Sequence, residues 1–400
     1  MQRLLSVVVL SCLSWMAFAQ DGGAPAPAAP APASAASPEP ASPGAAPSAA
    51  DAPAAPAPSQ DPPAPPPPGA LSNEWVQALF AVESDPEPKE LAAGVHFPTS
   101  NEIRFFLWKN AIQDLGGILI GVGTDQNYFM AGWAKPELLI LFDFDQLVVD
   151  LHLIYRAAFS VAKDPKEFLG LWSKKKAKSF AAALEASLTD PGQKKRILAE
   201  FKEWRRPIEI RLHNQLKFNR ENKIKSFLDD PEQYETLARL FAERRVLAVR
   251  GDLTAKKTMR QIGELAKRMK LPVRVLYLSN AERYFPFSED FRANMAALPF
   301  DEKSLVLRTT GLGSWKNGDP FYYVIQKSQQ FLEWLKDPSI QHVKQLIRHI
   351  VPQKERFLYV IDRLPPTEEE KKRPAKPPRG IKGAKQAAQN LSPPPPAAAP

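Results

Sequence analysis

The stretch Gly117-Ile118-Leu119-Ile120-Gly121-Val122-Gly123-Thr124-Asp125-Gln126-Asn127-Tyr128 decides the fold. A short apolar run, then two glycines, then polar residues opening a helical pattern, reads as a buried strand turning into a helix. Glycines at such a turn let the backbone approach a ligand closely. The helix N-terminus beyond them offers unpaired N–H groups and the positive end of a dipole, where a carboxylate or phosphate can dock.

Working outward, similar units recur. Leu138-Leu139-Ile140-Leu141-Phe142 predicts a second strand and Gln146 to Val161 a helix. Val246-Leu247-Ala248-Val249 predicts a third strand, Thr254 to Lys270 an amphipathic helix, and Val273 to Tyr277 a fourth strand. Further strands are expected at Ser304 to Arg308, Phe321 to Ile325 and Phe357 to Ile361. Upstream, Thr99-Ser100-Asn101-Glu102 has the T-x-x-E form of a capping box, predicting a helix to about Asp114. Short apolar runs alternating with helices predict an α/β fold with a doubly wound, mostly parallel sheet.

The second and third strands are too far apart for one crossover. Asp164-Pro165, Asp190-Pro191 and Asp230-Pro231 each read as a helix start, so residues 164–240 are expected to form an inserted helical cap. It reads either as a cover for the ligand cleft or as an outward appendage.

The flanks have another composition. Of 400 residues 41 are proline, and 27 of those lie before Leu71 or after Arg363. Residues 20–70 read as an Ala/Pro-rich disordered linker and 364–400 as a disordered basic, Pro-rich tail, leaving 71–363 as the folding unit. Met1-Gln2-Arg3, an uncharged apolar run to Phe18 and Ala17-Phe18-Ala19 read as a signal peptide, residues 1–19. The run is shorter than the roughly 20 residues that span a bilayer, and a lipoprotein reading through Cys12 leaves too short an apolar region before it. The expectation is an exported protein, periplasmic or extracellular, without a transmembrane segment after cleavage.

The single cysteine excludes disulfide scaffolds and cysteine metal sites, and the five histidines form no HExxH or H-x-H pair. No G-x-S-x-G or Walker loop is present. The net charge is +9, with clusters at Lys174-Lys175-Lys176, Lys178, Lys194-Lys195-Arg196, Arg205-Arg206 and Arg211. Such a face would attract an anionic envelope surface, but its first reading is a solvated helix surface. Export and the lack of any nucleic-acid-binding motif argue against nucleic acid.

The candidate site lies at the strand ends. Gly121, Gly123, Asp125, Gln126 and Asn127 form the first turn, and Asp143 and Asp145 end the second strand about 22 residues on, where an acid can accept from ribose hydroxyls. Asp252 follows the third strand; Asn280, Glu282 and Tyr284 follow the fourth. All fall at strand C-termini, where open α/β sheets bind ligands. Asp125, Asp145 and Thr254 read equally as helix caps, and the glycines as turn formers.

The order of these motifs resembles the class I S-adenosylmethionine-dependent methyltransferase core. With Phe97 to Glu102, Tyr277-Leu278-Ser279-Asn280 and Asn294 to Pro299, the chain more closely resembles a family of uncharacterised bacterial exported proteins having that core. The resemblance implies that Gly121 and Gly123 support the methionine part of the cofactor, Asp143 or Asp145 its ribose, and that Asp252 lies near adenine. Asp125 stands where the third glycine is usual, and no acid precedes the turn. Two functions follow as expectations. One is a methyltransferase or other enzyme with a small nucleotide-like ligand, in which Asn280, Glu282 or Tyr284 positions or deprotonates an acceptor. The other is a noncatalytic envelope-binding protein on a degenerate Rossmann-like fold.

Overall fold

The computed structural model describes residues 66–91, 94–311 and 321–367. The expected signal peptide, nearly all of the linker and most of the tail lie outside them. The chain begins with α1 (Asn73–Phe80), capped by Ser72. Instead of the helix expected from Thr99, residues 101–104 belong to no helix or strand, a 3-10 turn covers Phe105–Trp108 and α2 is the single turn Lys109–Ile112. Glu102 does not cap a helix, because its carboxylate is drawn into the interior by hydroxyl donors from the sheet.

Then follow β1 (Ile118–Val122), α3 (Gln126–Ala134), β2 (Leu138–Asp143) and α4 (Gln146–Val161). Four helices come next: α5 (Pro165–Leu171), α6 (Ala177–Ala186), α7 (Pro191–Glu221) and α8 (Pro231–Ala242). The Asp-Pro pairs act as their spacing predicts. Asp164, Asp190 and Asp230 each accept from a first-turn N–H, with proline just inside the helix.

After β3 (Val246–Arg250), Asp252 accepts from the N–H and hydroxyl of Thr254 in a tight turn. This delays α9 (Thr258–Arg268) past the expected start at Thr254. The remainder is β4 (Val273–Tyr277), α10 (Glu289–Ala297), β5 (Leu305–Gly311), β6 (Phe321–Lys327), α11 (Ser328–Lys336), α12 (Val343–Ile347), β7 (Val351–Pro352) and β8 (Leu358–Ile361).

The eight strands form one sheet in the order β3-β2-β1-β4-β5-β6-β8-β7. The first five are parallel, while β6 returns antiparallel beside β5. Both central strands β1 and β2 are buried on both faces, which is why they read as unbroken apolar runs rather than alternating ones. One face, with Leu119, Leu139 and Leu141, packs beneath α3, α4 and the helices of residues 164–240. The other, with Ile118, Ile120 and Ile140, packs beneath α1, α9, α10 and α11.

Phe168, Trp172, Phe180, Phe201, Ile208 and Leu212 from residues 164–240 belong to the same continuous core as the sheet face. Phe159 on α4 joins the two, with ring contacts to Phe168, Phe227, Tyr234 and Phe241. The helical segment is therefore part of the main core and not an outward appendage. Each buried aromatic removes a large area from water and adds about 0.5–1.5 kcal/mol per ring pair.

Both edges of the sheet are protected. Along β3 the preceding segment is tied down by Leu71 N–H to the Glu243 carbonyl and by Asp85 N–H to the Arg250 carbonyl. Arg245 donates to the carbonyls of Pro67 and Gly69. At the far edge β7 has only two residues, one of them Pro352.

Candidate functional site

The strand order places a topological switch point between β1 and β4, flanked by the glycine turn. Here the backbone takes the conformation the sequence demands, with Gly123 at φ +90. The space beside the glycines is already filled. A β-carbon on Gly121 would stand 1.9 Å from Asn127 Oδ1, and one on Gly123 2.4 Å from Gln126 Nε2. These two side chains fold back over the turn: Asn127 Nδ2 donates to the carbonyls of Gly121, Val122 and Gly123, and Gln126 Nε2 to that of Val122. The helix start that could cradle an anion is thus occupied by two amides of its own first turn, both buried.

The acids are committed in the same way. Asp125 is fully buried; its Oδ2 accepts from Arg211 Nε on α7 at 2.8 Å and its Oδ1 from Ser100 N–H. Asp143 accepts from the N–H groups of Gly123 and Asp145. Burial pushes its carboxyl up to about 7, with the neighbouring Asp145 charge adding and the backbone donors opposing. Asp145 caps α4 through Leu147 N–H and holds His96 Nδ1 at 2.8 Å. Behind them, His152 links the Gly123 carbonyl to the Tyr128 hydroxyl, and burial lowers its imidazole to about 4.

Residues 96–102 cross this edge of the sheet. His96 meets Asp145 beyond β2, and Ser100 meets Asp125 after β1. Glu102 accepts from Tyr277 and Ser279 at the end of β4 and from Thr309 on β5, at 2.6, 2.8 and 2.7 Å. Arg211 fastens the crossing segment from above by donating to the Glu102 carbonyl.

Among the sequence-predicted residues, Gly121, Gly123, Asp125, Gln126, Asn127, Asp143 and Asp145 are brought together into this network. Asp252 is not; it serves its own turn, supported by Asp85. Glu282 is buried on the opposite face of the sheet, paired at 2.6 Å with Arg308, itself bonded to Gln326. Burial raises its carboxyl while Arg308 opposes the rise. An acceptor could not reach it. Asn280 starts a 3-10 turn, and Tyr284 is 48 % exposed with Arg283 over its ring.

Sequence reading missed Glu102, Arg211, His96 and His152 as members of the network. Arg211 had a visible signal, since it lies at i+3 from Ile208 and i−4 from Gln215, on the buried side of α7. Glu102 had none, because a carboxylate three residues after a threonine is also the sequence of a helix cap.

Open parallel sheet, helices on both faces and polar residues gathered at the strand C-termini define an α/β protein of Rossmann-like arrangement. Residues 97–361 match the model of a family described as a domain of unknown function, DUF7790, and the chain belongs to that family. The match runs from Phe97 to the end of β8, so the segment over the strand ends, apart from His96, is part of the family's common unit. No curated protein matches the sequence. Among the described residues no helix is long and apolar enough to cross a membrane, and no cluster of His, Cys, Asp or Glu could hold a metal ion.

Proposed function

We propose that this is an exported, noncatalytic binding protein of the cell envelope, in which the Rossmann-like sheet serves as a scaffold and methyl transfer does not occur. One observation carries the reading: the turn where S-adenosylmethionine or a related nucleotide would lie is filled by Asn127 and Gln126. A ligand there would have to displace both amides and find replacement partners for the carbonyls they satisfy. Each such buried group left unpaired costs about 1–3 kcal/mol, enough to cancel much of a small ligand's affinity. Asp125, Asp143 and Glu282 are also engaged from within, by Arg211, by backbone donors and by Arg308 respectively.

The outward chemistry supports contact with an anionic surface. Lys174, Lys175 and Lys176 are exposed between α5 and α6, and Lys178 is exposed on the first turn of α6. The bond from Arg205 to the Trp172 carbonyl brings that end of the helical layer beside Lys202 and Arg206 on α7. This cationic end would gain long-range attraction to phosphate-rich envelope polymers or lipids, weakened by salt.

Two measurements test the reading on the mature chain. Calorimetric titration with S-adenosylmethionine and with its demethylated product should give no saturable heat at millimolar ligand. Co-sedimentation with phosphatidylglycerol vesicles should exceed that with phosphatidylcholine and fade as salt rises. Saturable, 1:1 cofactor binding in the micromolar range would instead establish the methyltransferase-like reading.

A further inference from the structure

A second feature lies at the opposite edge of the sheet. Helix α4 starts at the C-terminal end of β2 and α8 ends just before β3, so the last turns of both stand at the N-terminal edge of the parallel strands. Between these turns lies a pocket of about 770 Å3, open to solvent on one side. That volume falls within the roughly 300–1,000 Å3 of ordinary small-molecule sites. Phe159, Phe241 and Ala238 supply an apolar wall, and Arg156 and Arg239 a cationic one.

The charges in the pocket are unbalanced in a specific way. Glu243 is engaged by Arg245 at 3.5 Å, which leaves Glu235, exposed at the rim, as the remaining carboxylate. No hydrogen bond or ion pair ties down the guanidinium of Arg156 or Arg239 among the described residues, although most other arginines of the fold are paired. Burial lowers the affinity of Arg156 for its proton, and no neighbouring carboxylate offsets the loss. A guanidinium cannot shed its charge in the accessible pH range, so half-buried Arg156 loses part of its hydration without a counter-ion, a cost that a bound anion would relieve, while Arg239 stands exposed at the rim.

We infer that this pocket binds an amphipathic monoanion, a medium-chain fatty carboxylate, with its head group between Arg156 and Arg239 and its chain against Phe159, Phe241 and Ala238. The planar fork of Arg156 matches a carboxylate in two-point contact, and the aromatic wall takes the methylene chain. Neither a purely apolar ligand nor a small hydrophilic anion satisfies both walls. The inference does not depend on the reading of the strand C-termini.

The test is titration of the mature chain with dodecanoate below its micellar concentration, with dodecanol and acetate as controls. Dodecanoate should bind 1:1 and raise the melting temperature, while dodecanol and acetate each bind at least about tenfold more weakly. Arg156→Met, which keeps the apolar stem, should weaken dodecanoate about tenfold or more. Arg156→Lys should retain part of the affinity, and Glu235→Gln should strengthen binding severalfold by removing the rim carboxylate. Dodecanol binding as tightly as dodecanoate, no dodecanoate binding at all, or undiminished binding by a folded Arg156→Met protein would each overturn the assignment. If Arg156→Met does not fold, Glu235→Gln decides: unchanged affinity there overturns it as well.

Discussion

At the C-terminal edge of the sheet Asp125 faces Arg211, Asp143 faces two backbone N–H groups, and Glu102 faces three hydroxyls. At the N-terminal edge, on the same face, Arg156 and Arg239 stand over an apolar wall without a bonded partner among the described residues. The first region has the residue types of a ligand site and keeps its principal acids internally paired. The second has no motif in the sequence and keeps its cations unmatched. Polar residues at strand ends therefore do not identify a ligand site by themselves; what counts is whether their hydrogen-bonding capacity is already used.

The contrast breaks most sharply at Arg211. Arg211→Ala would leave Asp125 buried with only Ser100 N–H and Thr124 against it, and should cost about 3–5 kcal/mol in denaturant unfolding. A loss below 1 kcal/mol would mean that the pair is not holding the edge together. Next is Gly121→Ala. Its methyl would displace Asn127 and take its amide from the carbonyls of Gly121, Val122 and Gly123, of which Val122 keeps Gln126 and Gly123 keeps His152, so a loss of about 2–4 kcal/mol is expected by thermal melting. A neutral substitution would show open space at the turn and revive the cofactor reading.

Two buried groups at the C-terminal edge titrate in opposite senses. His152, lowered from 6.5 to about 4, contributes stability that is present above pH 6.5 and lost as pH falls through 4. Asp143, raised from 3.8 to about 7, acts in the opposite direction, with stability present below pH 3.8 and lost as pH rises through 7. Between these limits the two slopes oppose each other. His152→Gln removes one of them, so stability relative to wild type should fall as pH rises from 4 to 6.5, by on the order of 3 kcal/mol in total. A pH-independent difference would place His152 in ordinary solvent. The smallest effect belongs to the other edge: Arg156→Met should stabilise the ligand-free protein by about 1 kcal/mol, because an unmatched cation gives way to a side chain that suits the apolar wall. Destabilisation would reveal a counter-ion.

The strands and most helices were legible because their signals are local. Apolar runs such as Leu138 to Phe142 are short and bounded, and an aspartate followed by proline marks a helix start through the chemistry of its own first turn. The errors fell where distant residues compete with a local signal. Thr99-Ser100-Asn101-Glu102 carries a helix-cap pattern, yet Tyr277, Ser279 and Thr309, over 170 residues away, take the glutamate. Glu282 reads as a polar strand-end residue, but Arg308 holds it on the far face.

The order of residues is enough to fix that the chain alternates strands with helices, that two glycines turn the first strand into a helix, and that the middle segment is helical. Those properties rest on periodicity and backbone preference, which act over a few residues. It takes the packed fold to show that the glycine turn is filled, that the helical segment shares the sheet's core, and that Arg211 is paired while half-buried Arg156, also on a helix, is not. Whether a buried charge finds its counter-charge depends on which elements pack together across the whole chain, and no local pattern encodes that.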